Sequence, residues 1–524
     1  MKQTENQVAV IGAGPGGLVT ARWLLSQGFE PVIFEATDRI GGEWSLTPGI
    51  SGIWEGMRTN TSRVTTAFSD LDQPEGLATF PSNADVLAYL HRFADMFSLE
   101  PRFRTTVNEI RRARPGSSEG GYVLTFTGPD GKTQEQTFER VVISSGRYNN
   151  PMLPEVPGLD SFTGAGGASH TFDYRNFQDV QGMRIVVGGG AVSALEVAPD
   201  LAMRGAKVIL SQRRQRYVLP KLITGRPSDH LVYTRFAAMR QEVVPPEVVN
   251  RGLRDFIVQV GGNPEQYGAP RPAETLEEAG VSLSQHYLPM VAEGKIEVLP
   301  WMTNVEGNHV TFGEGPDAPQ REVDAITFGT GFALKLPFLD EEIRRTLDLD
   351  PQHIDLHKYT FHPELPGLAF VGLYELIGPY FPALEVQGRW VAYAFGGACP
   401  MPSSKEMQDG VNQYRSKRGK SQRIPVHILA RQIAPDAGFE AQLDRHPDLA
   451  REILFGPLAT VSYRLDGPDA LDDAPERIRR AARAFGVVPD PEFSSEQRAL
   501  LASLAEASDD PMLHRLAATA QAGA

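Results

Sequence analysis

The sequence feature that most constrains the fold is a glycine-rich turn near the N-terminus, Gly12-x-Gly14-x-x-Gly17. Residues 7–11 form a short apolar run and residues 18–26 have helical apolar spacing, so the pattern predicts a strand, a tight turn and a helix. Glycines at these positions permit the turn, a close approach of the backbone to a pyrophosphate, and close packing of helix on strand. The helix N-terminus adds free N–H groups that bind phosphate. A dinucleotide-binding unit is therefore predicted here.

A carboxylate at the end of the next predicted strand supports this interpretation. Residues 31–35 have the pattern of a second buried strand, which ends in Glu35. In dinucleotide-binding units an acid at this position binds the ribose hydroxyls. The alternative is a glycine-rich turn without a ligand, but here strand, turn, helix and terminal acid occur together. We interpret this unit as the FAD site.

The same pattern recurs as a second turn, Gly188-x-Gly190-x-x-Ser193, again between a predicted strand and a predicted helix. Its second strand carries Ser211 where the first unit has Glu35, so no acid opposes a 2′-phosphate there. Three arginines follow this strand: Arg213, Arg214 and Arg216. A guanidinium pairs with phosphate and a carboxylate repels it, which favours NADPH as the second cofactor. The alternative interpretation is a solvated basic turn.

These two units predict an α/β protein with two nested Rossmann-like dinucleotide-binding domains. A proline-rich joint at 151–158 separates them. We expect an FAD-binding domain built from residues 1–155 and 325–450, with an NADPH-binding domain (156–324) inserted between its two parts. Residues 451–524 are helical in pattern, Ala-rich and charged, and we expect them to form a C-terminal extension packed on the outside.

Charge and cysteine content exclude several classes of function. The formal net charge is -14 and the pI is about 5.4, so neither nucleic acid nor an anionic membrane is expected as a partner. The sequence contains no apolar run long enough to span a bilayer. Cys399 is the only cysteine, so the chain lacks the redox dithiol of disulfide reductases. We expect no metal site.

Location and assembly are predicted in outline. A buried-strand pattern begins by Gln7 and leaves no room for a signal peptide. A single cysteine fits a reducing compartment, so the cytoplasm is the expected location. A homodimer is the expected assembly, because dimers with two-fold symmetry are the commonest oligomers.

Several further segments together resemble the flavin-containing monooxygenases, the class B flavoproteins that oxygenate nitrogen and sulfur. The likeness runs from about residue 5 to about residue 480 of this chain. The segments that carry it are Gly41-Gly42-Glu43-Trp44, Arg58-Thr59-Asn60-Thr61-Ser62, His170-Thr-Phe-Asp-Tyr174-Arg175 and Phe328-Gly329-Thr330-Gly331-Phe332.

The resemblance implies a reaction. NADPH would reduce FAD, O2 would add at flavin C4a, and the resulting hydroperoxide would oxygenate a soft nucleophile, either an amine nitrogen or a sulfide. Asn60 would be the catalytic residue, because its amide both donates and accepts hydrogen bonds without a titratable proton. The substrate stays open among small amines, amino acids and sulfides.

The resemblance also assigns further cofactor-binding residues, each of which has a simpler alternative. Trp44 is equally typical of an ordinary core, Asn60 of an Asx-turn, and His170 of a structural position at the inter-domain hinge. The residues placed near a cofactor by the resemblance are Glu43, Trp44, Thr59, Thr61 and Gly331.

The segment from Gly164 to Arg175 and the residue Asn60 bear on the type of reaction. Five residues separate Gly164 from His170, where the family pattern has three, so the role of His170 stays open. Tyr174 and Arg175 differ from the Trp form of Baeyer–Villiger enzymes, and Asn60 stands where some ketone-oxidising relatives carry His. The sequence therefore favours N- or S-oxygenation. The alternatives are a Baeyer–Villiger-type ketone monooxygenase and a non-oxygenating NADPH oxidase or sensor flavoprotein.

Overall fold

The computed structural model describes residues 6–114, 121–176, 179–419, 423–490 and 492–522. The strands in chain order are β1 (Gln7–Ile11), β2 (Glu30–Phe34), β3 (Thr106–Arg112), β4 (Tyr122–Thr127), β5 (Thr133–Phe138), β6 (Arg140–Ile143), β7 (Gly167–His170), β8 (Arg184–Gly188), β9 (Lys207–Gln212), β10 (Tyr217–Leu219), β11 (Leu222–Ile223), β12 (Arg226–Pro227), β13 (Val281–Leu283), β14 (Ile296–Pro300), β15 (Met302–Glu306), β16 (His309–Phe312), β17 (Gln320–Glu322), β18 (Ala325–Phe328), β19 (Leu368–Phe370), β20 (Leu376–Ile377) and β21 (Ile424–Pro425).

The α-helices in chain order are α1 (Pro15–Ser26), α2 (Asn83–Met96), α3 (Val192–Met203), α4 (Ser228–Val232), α5 (Arg235–Val243), α6 (Pro246–Gly261), α7 (Leu276–Ala279), α8 (Tyr287–Ala292), α9 (Glu341–Thr346), α10 (Tyr380–Gly396), α11 (Ser404–Arg415), α12 (Val426–Ile433), α13 (Ala450–Phe455), α14 (Ala474–Arg483), α15 (Ser495–Glu506) and α16 (Pro511–Ala522).

Four parallel strands form the sheet of the first unit, in the order β19-β6-β1-β2. The strand β1 is central, with Ile11 opposite Ile143 of β6 and Phe34 of β2. Both faces of this sheet are covered, which is why its strands are apolar throughout. Helices α1 and α10 pack on one face, and the antiparallel sheet β3-β4-β5 packs on the other.

Five parallel strands form the sheet of the second unit, in the order β14-β9-β8-β18-β7. Helices α3 and α8 cover one face, and the small antiparallel sheet β15-β16-β17 covers the other. The turn after β8 therefore stands in the second sheet as the turn after β1 stands in the first. The prediction of an α/β protein with two dinucleotide-binding folds is confirmed.

One strand lies in a different unit from the one that the predicted boundary assigns to it. The boundary at residue 325 places Ala325–Phe328 in the first unit, but this strand pairs in parallel with β7 and β8 of the second sheet. An apolar run does not reveal which sheet it joins, because both sheets bury both faces. We propose that the chain returns to the first unit after Phe328.

The C-terminal helices form a core with helix α5 of the inserted segment. They also reach inward, which differs from the expected position on the outside. The Thr460 hydroxyl donates to the carbonyl oxygen of Ala67 at 2.9 Å, and the Arg464 guanidinium donates to the Asp70 carboxylate at 2.7 Å. Tyr463 and Arg464 are buried. This segment therefore holds the loop that follows residue 60.

The described ranges contain neither a membrane-spanning helix nor a metal cluster. No helix there is both long enough and apolar enough to cross a bilayer. Within the same ranges, no group of three or more His, Cys, Asp or Glu side chains is arranged to hold a metal ion.

Candidate cofactor and active site

The first glycine turn connects β1 to α1 and is packed to different degrees at its three glycines. Gly12 has φ +105°, and a Cβ there would lie 2.5 Å from the carbonyl oxygen of Ser144. A Cβ on Gly17 would lie 1.9 Å from the carbonyl oxygen of Gly12. At Gly14, by contrast, the nearest atom to a Cβ would be Cα of Gly42 at 3.6 Å. The protein's own packing therefore requires glycine at 12 and 17, whereas a Cβ at position 14 would make only ordinary van der Waals contact with Gly42.

Glu35 lies next to this turn and is buried. Its carboxylate accepts a hydrogen bond from the backbone N–H of Ala13 at 2.8 Å. It also accepts from the backbone N–H and the hydroxyl of Thr37, at 2.9 and 2.8 Å. The structure thus brings the predicted ribose-binding acid against the turn, where it also ties the turn to the end of β2.

Glu43 and Trp44 lie in a short 3-10 helix, Gly42–Ser45, directly behind the turn. A Cβ on Gly42 would be 3.0 Å from Cα of Gly14, so this helix contacts the turn closely. Trp44 packs against the core that contains α1 and α10, which fits the core alternative for this residue. Glu43 has an exposed surface, and desolvation by the protein around it raises the pKa of its carboxyl.

Asn60 lies in a loop that is fixed through its neighbours. The Thr59 N–H donates to the carbonyl oxygen of Pro81 at 2.9 Å, and the Thr59 hydroxyl donates to the carbonyl oxygen of Thr61 at 2.7 Å. The Thr61 hydroxyl lies 3.2 Å from the hydroxyl of Thr66. The Oδ1 atom of Asn60 is buried and has no hydrogen-bond partner among the residues that the structure describes. A buried amide oxygen without a partner is costly, so this atom is available for a bound group.

The second glycine turn connects β8 to α3. A Cβ on Gly188 would meet the ring of Phe328 at 2.8 Å. At Gly190 the nearest atom would be Oε1 of Gln212 at 2.7 Å, the mobile end of a side chain. Ser193 lies in the first turn of α3, beside the free N–H groups of the helix N-terminus. The structure therefore brings Gly188, Gly190 and Ser193 together as the sequence predicts.

The strand after α3 ends in groups with different environments. Ser211 is fully buried: its hydroxyl donates to the carbonyl oxygen of Pro300 at 3.0 Å and accepts from the N–H of Met302 at 2.9 Å. Ser211 is therefore occupied by the protein's own contacts. Arg213 and Arg214 are exposed beyond it.

The arginines after β9 differ in how free their guanidinium groups are. The Arg213 guanidinium lies 4.9 Å above the ring of Trp301, a contact that leaves its N–H groups exposed. Arg214 donates to the carbonyl oxygen of Glu278 at 2.6 Å. Arg216 is half-buried, and burial, with the nearby Arg423 and Arg214, lowers its pKa to about 10. An anion between these groups would relieve their repulsion.

Gly331 and His170 meet where the chain crosses between the two units. Gly331 has φ +88°, and its carbonyl oxygen accepts from the N–H of Met152 at 3.0 Å. The His170 ring packs edge-on to Phe332, and its Nδ1 accepts from the N–H of Phe172 at 3.1 Å. Burial lowers the pKa of His170 to about 4, so the ring is neutral at physiological pH. These contacts fit the structural alternative for His170.

Two residues that contact the Asn60 loop are not predicted by any sequence pattern. Asp229 and His230 belong to the proline-punctuated region 220–290, whose short elements give no periodic signal. In the structure the Asp229 carboxylate accepts from the N–H of Ser62 at 3.1 Å, and Nε2 of His230 lies 2.7 Å from the Ser62 hydroxyl. The only signal in the sequence is that Asp229 and His230 are adjacent titratable residues, and such pairs are too common to indicate a site.

Comparisons with known proteins agree with this arrangement. The chain matches the model of the flavin-binding monooxygenase-like family over residues 5–485. It is 32% identical over 495 residues to dimethylaniline monooxygenase (N-oxide-forming) 2 of Rattus norvegicus, a match that covers 90% of this chain and 91% of the relative.

Solved structures show the same fold. The S-allyl-L-cysteine S-oxygenase from Allium sativum is similar with a TM-score of 0.60 and 22% identity, covering 95% of this chain and 98% of that one. The open form of cyclohexanone monooxygenase is similar with a TM-score of 0.61 and 18% identity, covering 82% of this chain and 97% of that one.

Two dinucleotide-binding folds joined in this order are the architecture of a flavoprotein that also uses a nicotinamide cofactor. The chain belongs to the flavin-binding monooxygenase-like family. It is an NADPH- and O2-dependent flavin monooxygenase, and its cofactors are FAD and NADP(H).

Proposed function

We propose that this enzyme oxygenates a nucleophilic nitrogen or sulfur atom of a small molecule at the Asn60 loop. The observation that carries the proposal is the buried Asn60 amide oxygen, which has no partner among the described residues. The relative that is 32% identical is named as N-oxide-forming, which supports the chemistry. The Baeyer–Villiger alternative is disfavoured because Tyr174 and Arg175 depart from the Trp form of that group. Some ketone-oxidising relatives keep the Tyr-Arg form, but they carry His where this chain has Asn60.

The first turn is the proposed FAD site. Its residues are Gly12, Gly14 and Gly17, which would let the pyrophosphate approach the backbone at the N-terminus of α1. Glu35 would bind the ribose, and Glu43 would lie beside the bound cofactor because its helix contacts the turn. Bound FAD would accept a hydride from NADPH and pass the electrons to O2.

The second turn is the proposed NADPH site. Gly188, Gly190 and Ser193 would cradle the pyrophosphate at the N-terminus of α3. The exposed guanidinium groups of Arg213 and Arg214 would bind the 2′-phosphate, which distinguishes NADPH from NADH. Arg216, which lies near Arg214, adds to the positive charge of this group.

Asn60 would act on the reacting groups through hydrogen bonds alone. Its amide can donate to and accept from a bound oxygen species, and it introduces no titratable proton. Thr59 and Thr61 hold the backbone on both sides of Asn60, which fixes the direction of its side chain.

Location and assembly follow from charge and chemistry. We propose a cytoplasmic homodimer without a nucleic-acid or membrane partner, because the net charge of -14 repels polyanions and the lone Cys399 fits a reducing compartment. Sedimentation of the purified holoenzyme tests the dimer, and a monomer at micromolar concentration would contradict it.

The test of this function is a product panel with matched variants. Purified holoenzyme is supplied with NADPH, O2 and either a tertiary amine, a thioether or a cyclic ketone, and products and H2O2 are measured per NADPH oxidised. We expect N-oxide or sulfoxide from the wild type. Asn60→Ala should keep its FAD and its NADPH oxidation but divert most of it to H2O2, whereas Asn304→Ala, at an exposed asparagine on the inserted unit, should behave as the wild type. Lactone formation from the ketone without N- or S-oxidation would contradict the proposal.

A further inference from the structure

We propose that His230 and Asp229 are positioning residues for the reaction, because they anchor the loop that carries Asn60. This inference rests on the proposed role of Asn60. We call Ser62, Asp229 and His230 the loop anchor. All three are buried to at least 98%, and they join the inserted segment to the loop of the first unit.

The loop anchor fixes the backbone just after Asn60. Nε2 of His230 lies 2.7 Å from the Ser62 hydroxyl. Oδ2 of Asp229 accepts both from the Ser62 N–H at 3.1 Å and from the Thr65 hydroxyl at 2.5 Å. On the other side of Asn60, the Thr59 N–H is bound to Pro81. Asn60 therefore lies between two fixed points, and its amide has little freedom to turn.

The polar groups of the loop anchor are not explained by packing alone. Oδ1 of Asp229 and Nδ1 of His230 are buried without a hydrogen-bond partner among the described residues. The hydrogen bonds that the Asp229 carboxylate accepts come from neutral donors, the Ser62 N–H and the Thr65 hydroxyl. A buried carboxylate without a cation is unfavourable compared with an apolar side chain of similar size. Its retention at this place is consistent with a requirement for the geometry that it imposes on the loop.

The C-terminal extension covers the loop anchor. The ring of Phe485 lies 5.4 Å from the His230 ring. The guanidinium of Arg63 lies 4.7 Å from the centre of the same Phe485 ring. Burial lowers the pKa of His230, so the imidazole is neutral and forms one hydrogen bond with the Ser62 hydroxyl through Nε2. Phe485 of the C-terminal extension thus contacts both His230 and Arg63 of the loop that follows Asn60.

The test compares His230→Ala, His230→Gln and Ser62→Ala with the exposed-histidine control His309→Ala. Three quantities are measured on the holoenzyme: FAD content, the rate of anaerobic flavin reduction by NADPH, and product formed per NADPH oxidised. His230→Ala and Ser62→Ala should keep the first two and raise the ratio of H2O2 to product about tenfold, the effect of losing one hydrogen bond. His230→Gln, which can still bond to the hydroxyl, should recover part of the coupling.

Coupling between the two positions gives a second readout. Since both single variants break the same bond, the Ser62→Ala/His230→Ala double variant should be no more uncoupled than either one. If His230→Ala does not fold, Ser62→Ala is decisive by itself, because it removes one oxygen atom. Wild-type coupling in Ser62→Ala, or equal loss of FAD, reduction and coupling in a folded His230→Ala, would overturn the proposal.

The outcome also separates this inference from the function on which it rests. If Asn60→Ala diverts NADPH to H2O2 while the His230 and Ser62 variants stay coupled, the loop anchor is refuted and the role of Asn60 stands. If Asn60→Ala itself stays coupled, both are refuted.

Discussion

Gly14→Ala should remove FAD from a protein that otherwise folds normally. Gly14 has φ -76° and ψ -179°, which alanine adopts without strain, and its added Cβ would be 3.6 Å from the nearest atom. We therefore expect the free energy of unfolding of the apoprotein to change by no more than about 1 kcal/mol. The same methyl group would occupy the side on which the pyrophosphate approaches. Loss of one charge-assisted hydrogen bond there, worth about 1.5–3 kcal/mol, weakens FAD binding roughly 10- to 150-fold.

The assay is the flavin content of purified protein after dialysis, followed by titration of the apoprotein with FAD and by urea unfolding. Gly76→Ala, at an open surface position, is the neutral control. Gly17→Ala is the opposite control, because its Cβ would lie 1.9 Å from the carbonyl oxygen of Gly12. That variant should lose about 2–4 kcal/mol of stability even without FAD. A Gly14→Ala protein that keeps a full complement of FAD would refute the assignment of the first turn.

Three further predictions concern the selectivity for NADPH, the stability of the protein at low pH, and the contact of Asp72 with the C-terminal helices. Arg213→Ala should raise the KM for NADPH about 10- to 100-fold and leave the KM for NADH nearly unchanged, and equal effects on both would refute the phosphate role. Burial lowers the pKa of His427 to about 4, so the unfolded chain binds the proton first as the pH falls below 6.5. The free energy of unfolding of the wild type, measured in urea, should therefore fall by about 2 kcal/mol relative to that of His427→Gln between pH 7 and pH 5. Parallel dependences of stability on pH in the two proteins would contradict this. Asp72 accepts from Arg477 and Arg480 at 2.7 and 2.6 Å, so Asp72→Asn should cost about 1 kcal/mol and speed proteolysis of the C-terminal helices, whereas an unchanged cleavage rate would exclude this contact as a clasp.

The fold could be predicted where short-range chemistry determines it. The predicted strand at 7–11 and the predicted helix after the second glycine turn match the structure, because apolar runs next to glycine turns have few other solutions. The cap of α2 is also short-range: the Ser82 hydroxyl accepts from the Asp85 N–H, and the Ser82 N–H donates to the Asp85 carboxylate. Patterns of this kind depend on residues a few positions apart.

Long-range partners could not be predicted in this way. The sequence contains the apolar run at 325–328, but which sheet it joins depends on pairing with residues far along the chain. Asp229 and His230 stand out only through their contacts with Ser62, which lies more than 160 positions earlier in the chain. The inward contacts of Thr460 and Arg464 with the loop after residue 60 have the same origin. The glycine turns could thus be placed in the fold from the sequence, and the role of Asn60 stays a prediction. The groups that hold its loop in place could not be predicted.

The most direct test of N- or S-oxygenation is the source of the oxygen atom in the product. Holoenzyme is incubated with NADPH, an amine or thioether, and gas enriched in oxygen-18, and the product is analysed by mass spectrometry. We predict that each N-oxide or sulfoxide molecule carries one labelled oxygen atom, with about one NADPH consumed for each. Unlabelled product, or NADPH consumption that yields only labelled H2O2 with every amine and thioether tried, would contradict the proposed function.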